Sequence, residues 1–174
     1  MKNILSILSV LLLGLVLAGC VKKSLPEEPF PAPPPQMAPL PQIEKIILAD
    51  VTQRYVHNDQ AGLLLVIDGN ALNGYDTPRR DIVIEFSLYD ALGALVTAKR
   101  ARCGNRLSEM QLTGMGLMEI EASLNDLVGV LAYNSNVRPG EKAPFMMVFP
   151  DPPGNVAEFG VRIVDARQVP EGEL

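Results

Sequence analysis

Apolar and polar residues alternate most cleanly between Ile82 and Tyr89. Ile82, Ile84, Phe86 and Leu88 share one parity, while Asp81, Val83, Glu85, Ser87 and Tyr89 take the other. Successive side chains of a strand point to opposite faces, so this pattern predicts one buried face and one largely wet face. Asp90-Ala91-Leu92-Gly93 reads as a hairpin turn, with Asp capping the turn and Gly accepting positive φ. Ala94 to Ala101 returns as its partner, with Ala94, Val96 and Ala98 on one side and Leu95, Thr97 and Lys99 on the other.

The same texture extends in both directions. Ile43 to Val56 is rich in branched residues, and His57 to Gly62 is a polar turn. Leu63 to Leu72 predicts a second strand. Its odd positions, Leu63, Leu65, Ile67, Gly69 and Ala71, are apolar or small, and its even positions begin as Leu64 and Val66 before turning to Asp68 and Asn70. A strand apolar on both faces at one end is expected to be covered on both sides there. Pro144 to Phe149 and Ala157 to Ala166 complete six strands, and the tail from Val169 to Leu174 is expected to fray.

The period changes after Cys103. Ser108 with Gln111 three residues on forms a capping-box pattern, Gly114 and Gly116 interrupt, and Leu117, Ile120, Leu124 and Leu127 or Val128 fall at helical spacing. The expectation is a short helix, a glycine kink and a second helix of about three turns, an insert spanning 107–130. Asn134-Ser135-Asn136 and Arg138-Pro139-Gly140 read as turns. Strands without βαβ alternation predict a mainly β, antiparallel sandwich over 43–168.

Ahead of that domain the composition shifts twice. Val21 to Gln42 carries Pro26, Pro29, Pro31, Pro33, Pro34, Pro35, Pro39 and Pro41, so neither helix nor sheet is expected. Such a disordered linker, extended at about 3.1 Å per residue, reaches roughly 65 Å. It reads as a spacer, with a ligand for an aromatic groove as the alternative. Before it, Lys2 precedes an apolar run from Ile4 to Leu17, shorter than the roughly 20 residues of a spanning helix. The run closes in Leu17-Ala18-Gly19-Cys20. This segment resembles bacterial lipoprotein signal peptides, and all four lipobox positions match. The resemblance implies that residues 1–19 are a cleaved signal helix and that Cys20 carries a diacylglyceryl group and an N-acyl chain, including palmitate. It places the domain in the bacterial envelope, facing the periplasm, and Val21 where inner-membrane retention would have Asp favours the outer membrane. An uncleaved anchor helix is the alternative.

Cleavage before Cys20 leaves about 155 residues, enough for one domain with its own core and too few for two. The formal charge is −5, and loss of Lys2 makes the mature chain one unit more acidic. That balance gives no general attraction to nucleic acid. Lys99, Arg100, Arg102 and Arg106 form a local basic cluster, either an interaction patch for lipid phosphates or an acidic partner, or a solvated edge that discourages strand pairing. The chain's one histidine, His57, has neither thiol nor imidazole partners in sequence reach, and no spacing resembles a calcium loop. Gly114-Met115-Gly116 lacks the lysine and third glycine of a nucleotide loop. The expectation is therefore a non-enzyme, with no catalytic residue, metal site or cofactor beyond the lipid. Cys103 reads as a small buried group, with a reactive thiol as the alternative.

The segment Phe86-Ser87-Leu88-Tyr89-Asp90, followed by Gly93, matches the FxLYD pattern of small immunoglobulin-like bacterial domains. Leu64 to Gly69 with Asn73, and Arg138-Pro139-Gly140 with Pro144 to Phe149, resemble the related family filed as domain of unknown function 3426. The resemblance spans roughly Ile46 to Arg167 and implies an immunoglobulin-like sandwich with no known activity. The function expected is a non-catalytic envelope lipoprotein whose domain is a structural module or docks an envelope protein. The alternative is a carrier or sensor of an apolar ligand or lipid.

Overall fold

A computed structural model describes residues 43–170 and Gly172. The signal helix, Leu17, Ala18, Gly19, Cys20 and the proline-rich linker lie outside the described residues. Six strands form: β1 (Ile46–Asn58), β2 (Gly62–Asn73), β3 (Arg79–Asp90), β4 (Leu95–Arg102), β5 (Lys142–Pro150) and β6 (Val156–Gln168). They make two antiparallel three-stranded sheets, ordered β1-β2-β5 and β4-β3-β6. These orders correspond to A-B-E and C′-C-F of an immunoglobulin-like sandwich.

The inner faces follow the parity read from the sequence. Ile84, Phe86 and Leu88 of β3 meet Leu65 and Ile67 of β2 and Phe145, Met147 and Phe149 of β5 in one core. At its centre Phe86 and Phe145 join the sheets edge to face, with ring centroids 5.7 Å apart. Gly69 opposes Phe145 because an added Cβ would lie 2.6 Å from that ring. Cys103 is buried in the same core as a free thiol, and desolvation pushes its pKa far up, which suppresses the reactive thiolate.

Leu64 and Val66, the second apolar face of β2, are fully buried in a separate cluster. What covers them is the insert, through Leu107, Leu112 and Ile120, as the two-sided pattern required. The insert departs from expectation in its second half. Ser108 and Gln111 do form the capping box that starts α1 (Glu109–Gly114). The three-turn helix, however, is two: α2 (Leu117–Leu124) and α3 (Leu127–Asn134). Asn125 closes α2, and the carboxylate of Asp126 accepts the Val128 N–H at 3.0 Å, so a new helix starts there with a new face. Ile120 is buried as predicted, but Leu127 and Val128 are exposed. The insert also runs past Val130, and Asn134 is the buried end of α3 rather than a turn residue.

Smaller corrections have local causes. Leu88 pairs with Thr97 and Tyr89 with Leu95, so Val96 is the extra residue of a bulge and the parity of β4 flips there. His57 is exposed but sits in β1, which continues to Asn58. Leu63 is half exposed at the start of β2. Val169 does not fray: it is buried and its N–H donates to the Pro78 carbonyl at 3.1 Å.

Candidate docking surface

The basic cluster seen in the sequence does not stay together. Arg106 leaves it for the outer face of the β1-β2-β5 sheet. There its guanidinium donates to the Gly69 carbonyl at 2.6 Å and approaches Asp68 at 3.6 Å. Thr52 and Arg54 also donate to Asp68, which is buried among them. Arg106 is therefore a clamp that seats the start of the insert on β2.

Arg100 lies on the outer face of the other sheet. Its Nε donates to Glu85 at 2.8 Å, and Arg162 of β6 donates to the same carboxylate at 2.6 Å. This Arg-Glu-Arg ladder explains why Glu85 is buried on a face predicted to be wet: flanking arginines cover it. The two guanidinium hydrogen bonds, Arg100 first, hold the Glu85 carboxyl below its ordinary 4.5. A depressed carboxyl contributes stability above its unfolded pKa and loses it as pH falls through the folded one. Acidification below about pH 5 should therefore destabilise the wild-type domain. Glu85→Gln, melted across pH 3 to 7, should show a flatter profile from roughly pH 5 downward.

Lys99 sits on the inner parity of β4, opposite Phe86, and its ammonium reaches out over the Phe149 ring at 5.3 Å. Arg102 is exposed beyond Arg100 on the outer parity. Lys99, Arg100 and Arg102 thus stay together along one strand while the fourth member departs.

These three cations border a seam. β4 is the edge of one sheet and β5 the edge of the other. The seam is pinned at one end, where the Gly104 N–H donates to the Pro144 carbonyl at 2.7 Å. Above that point the edges part around a groove of 410 Å³, with Lys99, Arg100 and Ala101 on one wall and Leu117, Ile120 and Leu124 of α2 on another. Its floor is Met146, Met147 and Val148 of β5. A second hollow of 300 Å³ shares Arg100, Ala101, Leu124 and Asn125 and continues the groove toward Arg102 and Leu127. Beside it α3 exposes Leu127, Val128 and Leu131 at 61%, 72% and 65% of their surface. Helical spacing in the sequence puts Leu127 or Val128 on the apolar stripe of Leu117, Ile120 and Leu124, yet both are exposed. The signal that could have corrected it is Leu127 to Tyr133, seven residues with no charge, more apolar than a helix with a single buried stripe requires.

Among the described residues, no group of three or more His, Cys, Asp or Glu is placed to hold a metal ion. Among the same residues, no helix is long and apolar enough to cross a membrane. The seam brings together two strand edges, an apolar floor, the cations of β4 and, across from them, Glu121 of α2. No curated protein and no solved structure matches the chain. The model of one family, described as protein of unknown function (DUF3426), matches residues 46–163, from the first strand into the last. The chain belongs to that family.

Proposed function

We propose that this chain is a non-catalytic envelope lipoprotein, tethered through lipid on Cys20, whose immunoglobulin-like domain docks a protein partner. The observation that carries the reading is the exposed apolar wall of the insert beside the open seam. Monomeric domains rarely leave contiguous apolar surface uncovered unless something binds it. The lipobox and the proline-rich spacer agree with it, since together they would hold such a surface off a membrane.

The docking claim is tested in intact cells. A photo-crosslinking residue at Leu131 of the full-length chain should trap one discrete envelope protein across growth conditions. Recovery of the chain alone, in every condition, contradicts it. The second reading, a carrier or sensor of an apolar ligand, draws on the groove floor of Met146 and Met147. Native mass spectrometry of the purified chain with a bound lipid would move the assignment there. Against that reading, the pocket that would have lain over Leu64 and Val66 is filled by the insert's own side chains.

A further inference from the structure

We propose that the free edge of β4 binds an extended, alternating acidic and apolar strand of another envelope protein, which lies in the seam as a fourth strand of the β4-β3-β6 sheet. This rests on the partner-docking reading above and deepens it by naming the site and the chemistry of its occupant.

The backbone carries the first part of the argument. Among the described residues β4 pairs only with β3, so the amides and carbonyls along its other edge have no strand partner. Proteins usually blunt or cover such an edge. Here the groove lies directly against it, at Lys99, Arg100 and Ala101. An incoming strand would satisfy those groups in the manner of β-augmentation, and α2 and β5 would wall it in.

Parity sets the side chains the occupant needs. Phe86 and Ile84, which face the core, pair with Lys99 and Ala101, whereas Glu85 and Val83, on the outer face, pair with Arg100 and Arg102. A strand laid beside β4 continues that alternation. Its inward residues meet Ile120, Leu124 and Met147, so they should be apolar. Its outward residues stand beside Arg100 and Arg102, where opposite charge on a neighbouring strand is favourable and like charge is not. The occupant is therefore apolar inward and Asp or Glu outward.

The same rules exclude nearer candidates. The linker of this chain is acidic at Glu27 and Glu28, but its eight prolines remove the amides that a ladder requires. A second copy pairing β4 with β4 would set its Arg100 and Arg102 beside the same arginines. A fatty acid could use the floor and the cationic rim, yet it would leave the edge amides unpaired.

The test uses full-length lipidated protein in nanodiscs and a fluorescein-labelled nine-residue peptide alternating valine and glutamate. Anisotropy should show saturable binding, at least tenfold tighter than for a valine–lysine peptide. N-methylating the central valine and one adjacent glutamate, which keeps the charge and removes a ladder donor whichever way the strand runs, should cost at least tenfold. Arg102→Glu should weaken the acidic peptide at least tenfold and favour the lysine peptide. Leu117→Glu, on the opposite wall, should weaken it by a similar factor. Three results would overturn the proposal. One is no saturable binding. Another is equal binding of the N-methylated peptide, which would reduce the site to nonspecific charge. The third is binding of palmitate, but not peptide, in a form that protects a photo-crosslinker at Leu124. Capture of a partner through Leu131 together with failure of the peptide series would leave the docking function standing and remove this site.

Discussion

Gly104→Ala is expected to destabilise the domain strongly. Gly104 adopts φ +133°, a conformation that side-chain-bearing residues rarely enter. A Cβ there would lie 2.6 Å from the Val130 Cα and 2.7 Å from the Gly129 carbonyl oxygen, both backbone atoms that cannot rotate away. Strain of this kind costs about 1–3 kcal/mol. Overpacking against backbone adds about 1–3 kcal/mol more. Relief would require pushing α3 outward or giving up the Gly104–Pro144 hydrogen bond that joins the two sheets at the closed end of the seam. A loss of roughly 4 kcal/mol is a large share of the stability of a typical small domain, which is about 5–15 kcal/mol. Urea denaturation followed by circular dichroism measures it. Gly114→Ala is the matched control: no atom stands within 4 Å of the added Cβ, and its midpoint should barely move.

The second large effect is expected from Asn134→Ala. Asn134 is completely buried at the end of α3. Its Oδ1 accepts the Ile82 N–H at 2.8 Å, and its Nδ2 donates to the carbonyls of Ile82 at 2.9 Å and Cys103 at 3.0 Å. One amide thus completes the backbone pairing of β3 and of the residue that follows β4. Alanine would leave two buried groups, the Ile82 N–H and the Cys103 carbonyl, without the partners named here, while the Ile82 carbonyl would still accept the Cys103 N–H at 3.0 Å. Each costs about 1–3 kcal/mol, so a loss of roughly 2–4 kcal/mol follows even if water partly compensates. Asn134→Asp keeps the acceptor and replaces the donor, so it should recover little. Hydrogen exchange adds a local readout, because the Ile82 amide should lose protection ahead of Phe86 at the sandwich centre.

Both positions lie where the insert is sewn to the sheets, and that is also where the sequence was least legible. The sandwich itself could be read because burial on one face of a strand leaves a period of two, clear in Ile82 to Leu88 and Phe159 to Ile163. The cover over Leu64 and Val66 could be read from the doubled apolar face. The break between α2 and α3 could not, because Asn125-Asp126 interrupts no apolar period and acts only through a cap. Glu85 looked wet because the arginines that cover it come from strands 15 and 77 residues away. The basic cluster was half legible. Lys99, Arg100 and Arg102 are neighbours along one strand, whereas the direction taken by Arg106 depends on Asp68, which is far off in sequence. The groove had no local signature at all, since strand order and the path of the insert create it together.

The remaining weight falls on how the domain is held. Cells grown with radiolabelled palmitate should yield a labelled chain that sediments with membranes. Cys20→Ser should yield an unlabelled one that retains its unprocessed leader. An unlabelled wild-type chain recovered from the cytosol would contradict the account.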